Sequence, residues 1–470
     1  MKFCLKPSAL FYQAIIILVL SCAIIWVQAK DYPRQLRTGD SYIYLSTAKD
    51  LIDKGVLTNG TFSTTHPESG KNGQGTFFTP LYPAFLSIIM RFDKNFYGDA
   101  GCHLSSKNGA EAQACSNRYN SVILAQMFLS ALTCLIIWLG ALLLTKNLAI
   151  SWLSLVIGLA SGVYGQYSTE IMTESLLFPL FAAASLLAAL AWQKKDEINK
   201  SGLLWLASGI VFGLVTLTRP AYSYLIYASF IFLFLACVFL TKQNFIASLR
   251  YPLLLIAGFA ICISPWIMRN GLTTGDYVIS KGYGAFVLVQ RLAYNDMSVK
   301  EWSASFIYHL PDFGDSLSEK LFGIEAAERF NYGNKDGFFY VGHTDLRKKI
   351  SSEVENEEEM MSHVLKEYLI PSLPKHLMTT ISMVFNGLWI GKYWGLVAIP
   401  LFMAALILAL RRNWQELIVL SFPGWFMLGF HAFTSVNVTR YNMTLVPSLS
   451  LAAAWVLFLL FCYFRKPRNT

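Results

Sequence analysis

Charge is what this chain has least of. Asp, Glu, Lys and Arg make up 14% of its 470 residues and hydrophobic residues 54%, with a mean hydropathy of +0.44. That balance excludes one large soluble core and describes a polytopic membrane protein. Charged side chains are missing from the middle of the long apolar runs, where transporters keep functional ones. No Gly-x-x-x-x-Gly-Lys phosphate loop occurs, nor a Gly-x-Gly-x-x-Gly after a strand, so energy or activated substrate must arrive in another form. The loops that would face outward hold no Asp-x-Asp or His-x-x-x-His, so no metal is indicated and no cofactor is expected. A net charge of +9 comes without a basic patch interleaved with aromatics, so nucleic acid is not a partner.

What is present is apolar length. Ten runs read as spans: Leu10 to Ala29, Ser121 to Leu144, Leu148 to Tyr164, Ser175 to Trp192, Leu203 to Leu217, Tyr222 to Leu240, Pro252 to Met268, Trp394 to Leu410, Leu417 to Phe433 and Met443 to Phe464. The first is about long enough for a hydrocarbon core roughly 30 Å thick, and too long for a usual signal core, so it reads as an uncleaved anchor. Basic residues in the short segments, from Lys2 and Lys6 through Lys194, Lys195 and Arg250 to Arg411, Arg412 and Arg465, fix those segments as cytoplasmic. An eleventh run, His376 to Ile390, would break that orientation if it crossed, and reads as an outer interfacial or re-entrant helix.

The expected fold is therefore an all-α polytopic membrane protein of about ten transmembrane helices, with two long extracytoplasmic loops carrying interfacial helices. Residues 1–268 form a seven-span module with the first outer loop at 30–120, residues 269–393 the second outer loop, and residues 394–470 a three-span module. In the first loop, Asp40 to Ile52 has helical spacing, with Tyr44, Ala48, Leu51 and Ile52 on one side and Lys49, Asp50 and Asp53 elsewhere. Pro80 and Pro83 launch a second short helix. Cys102 and Cys115 share that loop, in a compartment that permits a disulfide; the other six of the eight cysteines sit in or beside spans as packing residues. In the second loop the acidic stretch from Glu353 to Glu359 leads into an amphipathic helix with Leu365, Leu369 and Ile370 toward the membrane.

Candidate chemistry gathers on the outer side. Asp40 places a carboxylate just beyond the first span, although as a lone residue it reads first as a helix cap. Arg219, Arg269 and Arg440 stand at outer span ends, against the inward bias of cations, and Glu170 and Glu174 lie four residues apart on one helical face. Singly, each arginine can snorkel to headgroups and Glu174 can cap a helix or pair with one of them. Together they describe a site for an anionic substrate. His431 lies near the same face and reads as a packing residue.

These residues, taken in order, resemble the lipid-dependent membrane glycosyltransferases of the GT-C fold. The likeness is to the protein mannosyltransferase and aminoarabinose transferase clan, related to glycosyltransferase family 39. The resemblance runs through Asp40-Ser41-Tyr42 and Ala48, Thr79-Pro80-Leu81-Tyr82-Pro83, Arg118 to Gln126, Thr173-Glu174-Ser175-Leu176, Leu217-Thr218-Arg219-Pro220, Pro265-Trp266 with Arg269-Asn270, and Arg440-Tyr441 followed by Pro447. Two features depart from it: Asp40-Ser41 stands where many members carry Asp-Glu, and the outer C-terminal region reads as a loop, not a large globular domain.

The resemblance implies an enzyme that transfers a hexosyl or pentosyl group from a polyprenyl-phosphate sugar, with inversion, to a lipid, glycan or protein acceptor, as in lipopolysaccharide or protein glycosylation of a cell envelope. Asp40 would be the general base. Arg269 and Arg440, with Arg219 and Tyr441, would hold the leaving phosphate, and Glu174 would orient the acceptor or Asp40's partners. A bacterial inner membrane with the site facing the periplasm is the implied setting. The alternative class is a transporter or flippase of lipid-linked sugars with no transferase activity.

Overall fold

The computed structural model describes residues 7–32, 39–61, 73–106, 115, 119–241, 244–281, 283–354 and 357–465. Arg118 of the motifs above lies outside them, as do Lys2, Lys6 and Cys4. Among the described residues the chain is helical, without strands, and nine helices are long and apolar enough to cross a membrane. They run from Pro7–Ala29 through Asn120–Thr145, Glu174–Gln193, Ile198–Thr218, Pro220–Leu240, Phe245–Thr274, Tyr393–Arg411 and Gln415–Thr434 to Thr439–Arg465.

The third expected span is broken. Leu148–Ala160 is a helix of 13 residues, and Gly162, at φ +69°, turns the chain before a second helix, Val163–Ser168. Only glycine takes that left-handed backbone without strain. A break inside a bilayer must satisfy the backbone groups it frees. Gln28, at the end of the first helix, does so by donating from Nε2 to the Leu159 carbonyl at 2.8 Å. His376 to Ile390 also forms no span: a 15-residue amphipathic helix, Leu373–Gly387, occupies it.

The chain divides into two compact units at different places from the expected module boundaries. The first comprises residues 1–280, 401–423 and 446–470, the second residues 281–400 and 424–445. In the first unit the Ile198–Thr218 and Phe245–Thr274 helices approach backbone to backbone at Gly209 and Gly258, where a Cβ would run into the facing carbonyls of Leu255 and Leu206. That crossing brings the end of one helix, before Arg219, beside the last turns of the other, which hold Arg269. Leu57, Leu217, Ile263 and Trp266 pack together there and seat the first loop on the bundle.

The second unit takes in most of the expected second outer loop and is helical. Its segments build two apolar cores of their own. Ala285, Leu288, Val289, Leu292, Ile350, Met360, Val364 and Leu369 form one, and Tyr294, Ala304, Ala326, Phe330, Phe338, Met383, Ala432 and Val436 the other. Leu369, expected to face lipid, is 7% exposed inside the first of these. Leu365 and Ile370 remain outward, as do Leu373, Leu377, Met378 and Ile381 of the Leu373–Gly387 helix.

Candidate active site

The Gly39–Asp53 helix carries Asp40 in its first turn and has its buried side on the bundle. Ser41, the next residue, is fully buried and its hydroxyl points at the Met172 sulfur, 3.7 Å away. One turn on, the Tyr44 ring meets Phe78 and Tyr82 edge to face, each at 5.1 Å between centroids. The start of the Asp40 helix is thereby fixed on the Thr169–Glu174 connection and on the Leu81–Phe92 helix.

Glu174 closes that connection. It is 1% exposed, opens the Glu174–Gln193 helix, and accepts from Arg219 Nη1 at 3.3 Å and from the Thr173 hydroxyl at 3.4 Å. A carboxylate at a helix N-terminus is favoured by the helix dipole, and Arg219 supplies the countercharge that a buried acid needs. Gln126 holds the same connection from the other side, donating from Nε2 to the carbonyls of Ser168 and Glu170, both at 2.9 Å. Its Oε1 accepts from the Tyr82 hydroxyl at 2.8 Å. Burial, with Tyr44 and Glu174 close by, pushes that hydroxyl well above its ordinary pKa, so Tyr82 remains a donor.

Arg269 has a different set of partners from the phosphate expected of it. Its guanidinium donates to the carbonyls of Gly75 at 2.6 Å and Leu57 at 2.9 Å, and to the side chains of Gln74 and Asn270. It also lies over the Trp266 ring at 4.8 Å. An arginine fork suits planar oxyanions, and here it ties two limbs of the first loop to the bundle. Asp50 secures the same loop from its own helix. The helical spacing puts it on the polar side, yet it is fully buried, because the chain folds back over it. It accepts from Thr58 Oγ1 at 2.6 Å, Thr61 N at 3.1 Å, Thr61 Oγ1 at 2.8 Å and Lys54 Nζ at 2.9 Å. Burial raises its pKa, but the hydrogen bonds from Thr58, Lys54 and Thr61 outweigh it and leave the carboxyl below its ordinary value. The Asn59-Gly60-Thr61 sequon is consumed in this fold: Asn59 is 8% exposed and accepts from the Phe77 amide at 2.9 Å.

A disulfide joins Cys102, in the Lys94–Ser105 helix, to Cys115, with 5.8 Å between Cα atoms. Cys22, Cys134, Cys237, Cys262 and Cys462 are free thiols. Among the described residues no group of three or more His, Cys, Asp or Glu side chains could hold one metal ion.

Arg440 and Tyr441 belong to the second unit, in the 3-10 turn Thr439–Leu445. The Arg440 guanidinium lies over the Tyr441 ring at 5.6 Å, and the His431 ring lies 5.2 Å from that ring. His431 is 4% exposed. Sequence reasoning missed Arg291 entirely. It is fully buried and donates to the Ala432 carbonyl at 2.8 Å, Thr379 Oγ1 at 2.9 Å, Thr380 Oγ1 at 3.2 Å, and both the His376 carbonyl and Asn295 Oδ1 at 3.3 Å. None of these partners is charged, and burial lowers its pKa to about 9. The available signal was its place among Leu288, Val289 and Leu292 on an apolar helix.

No protein-family model and no curated protein sequence matches the chain. Among solved structures it is similar to the oligosaccharyltransferase of Archaeoglobus fulgidus. The form in complex with zinc and sulfate matches at 14% identity and TM-score 0.48 over 96% of this chain and 50% of that one. The apo form matches at 12% identity and TM-score 0.49 over 97% of this chain and 52% of that one. It is also similar to ArnT from Cupriavidus metallidurans bound to undecaprenyl phosphate, at 10% identity and TM-score 0.40, over 94% of this chain and 77% of that one. The chain spans about half the length of the oligosaccharyltransferase structures.

Proposed function

We propose that the chain is an inverting glycosyltransferase that moves a sugar from a polyprenyl-phosphate carrier to a lipid, glycan or protein acceptor at the extracytoplasmic face of its membrane. The observation that carries the reading is the convergence, within one unit, of the Asp40 helix start with the buried Glu174–Arg219 pair through Ser41, Met172, Tyr44 and Tyr82.

In this reading Asp40 takes the proton from the acceptor hydroxyl or amine as that atom attacks the anomeric carbon. The bond from that carbon to the phosphate oxygen breaks, and the polyprenyl phosphate leaves with the electron pair. One displacement on one carboxylate inverts the centre. The departing phosphate needs charge compensation more than a proton. Within the second unit, Arg440 with Tyr441 is the candidate cation for a polyprenyl phosphate. Glu174, held by Arg219, keeps the connection under Asp40 in place. Arg269, whose donors meet loop carbonyls, holds the first loop against the bundle.

The test is made in detergent, where a transporter has no two sides to connect. Purified protein mixed with a polyprenyl-phosphate sugar and candidate acceptors should release polyprenyl phosphate only when an acceptor is present. Donor binding without release, across lipid, glycan and peptide acceptors, would favour the transporter reading.

A further inference from the structure

The turn that carries Arg440 and Tyr441 is held by two buried asparagines. Asn437, fully buried and in the left-handed backbone region at φ +52°, donates from Nδ2 to the Met383 carbonyl at 2.7 Å and the Leu428 carbonyl at 3.4 Å. Asn442, 1% exposed, donates from Nδ2 to Asn437 Oδ1 at 2.8 Å and to the Gly387 carbonyl at 3.2 Å. Its Oδ1 faces His431 Nδ1 at 3.5 Å, and the His431 ring packs on Tyr441. Gly387 ends the Leu373–Gly387 helix, whose last carbonyls have no partner inside the helix, and Met383 stands one turn before it. An unmet carbonyl in a buried place costs about 1–3 kcal/mol, so the helix end and the turn each satisfy what the other leaves open.

The sequence between these asparagines is Val438-Thr439-Arg440-Tyr441, so the clamp encloses the cation and the ring themselves. Gly387 is what lets the amides approach. A Cβ there would stand 2.5 Å from Nδ2 of both Asn437 and Asn442.

We propose that Asn437 and Asn442 are positioning residues. They tie the 3-10 turn to the end of the Leu373–Gly387 helix, and so fix the Arg440 guanidinium and the Tyr441 ring in one orientation toward a phosphate-bearing lipid. The proposal rests on the reading of Arg440 as the cation for the donor phosphate. Neither asparagine touches the ligand; both act through the turn.

The experiment measures binding of polyprenyl phosphate alone to the detergent-purified full chain by native mass spectrometry, so that no transfer step is needed. Gly387→Ala and Asn442→Ser are the variants, with thermal unfolding recorded for each. Both should bind about tenfold more weakly than the parent, roughly one charge-assisted hydrogen bond lost, and Gly387→Ala should weaken binding no further in an Arg440→Ala background. Equal affinity in a folded Asn442→Ser variant would overturn the positioning role. So would weaker binding by Gly387→Ala that persists in full without Arg440. If the parent itself fails to bind polyprenyl phosphate, the proposed donor falls first, and the positioning role with it.

Discussion

In the first unit the buried groups that shape the polar end are acids, Asp50 and Glu174, each surrounded by donors: Thr58, Thr61 and Lys54 for one, Thr173 and Arg219 for the other. In the second they are a cation and an imidazole, Arg291 and His376, surrounded by carbonyls, hydroxyls and amides. His376 donates from Nε2 to the Phe433 carbonyl at 2.8 Å, and its Nδ1 lies 3.1 Å from the Asn295 side chain. The two arginines of greatest structural consequence follow the same division. Arg269 sits half-buried beside a loop and Arg291 entirely inside, and both satisfy carbonyls instead of carboxylates. The contrast teaches that a buried cation can be retained for the number and fan of its donors alone. It also means that the two units respond to acid over different ranges.

The largest effect that would break this comparison is expected at Arg291. Arg291→Lys keeps the buried charge but cannot reach Ala432, Asn295, Thr379 and Thr380 together, so roughly 3 kcal/mol or more of stability should be lost. Thermal unfolding of detergent-purified protein measures it. A loss below about 1 kcal/mol would mean that the fan of hydrogen bonds is dispensable.

Next comes the acid response of the second unit. Burial, with Arg291 close by, lowers the His376 pKa to about 4 from an ordinary 6.5, and burial lowers that of His309 to about 3. A folded-state pKa below the unfolded one means that the unfolded chain binds the proton first. The stability is therefore whole above about 6.5 and falls as pH drops toward 4, by about 3 kcal/mol for His376 alone. His376→Asn should flatten that part of the stability profile; an unchanged slope would remove His376 from the account. Asp50, by contrast, has its pKa lowered by Thr58, Lys54 and Thr61 against its burial, so its contribution persists above the ordinary carboxylate value of 3.8 and is lost only below it. The smallest expected effect is therefore at neutral pH, where Asp50→Asn should cost about 1–2 kcal/mol through the first loop. Hydrogen exchange confined to residues 54–61 checks it, and uniform exchange across the bundle would contradict it.

Much of the bundle was legible in composition, because apolar length and the scarcity of charge constrain a chain in lipid more tightly than any motif. The helix that bears Asp40 also has the expected bounds, within one residue at each end. The break at Gly162 was not legible, since its repair comes from Gln28, more than a hundred residues earlier in the chain. Asp50 was placed on the wrong side because a helical wheel cannot show a loop that returns to cover it. The same holds for Leu369, which is buried in one cluster with Val289 and Ile350 and does not face outward. Arg269 was recognised as an arginine that wants oxygen, and only the folded loop decides which oxygens those are. Asn437 and Asn442 gave no sign at all, for an asparagine in a short loop reads as a turn former.

Whether Asp40 is the base of the proposed transfer is tested most directly by one substitution. Asp40→Asn preserves size and helix-capping ability but takes no proton. Transfer from a polyprenyl-phosphate sugar, measured in detergent with the parent's acceptor, should fall by roughly 100-fold or more, while binding of polyprenyl phosphate stays at the parent's level. Transfer close to that of the parent would make Asp40 a structural residue and contradict the account.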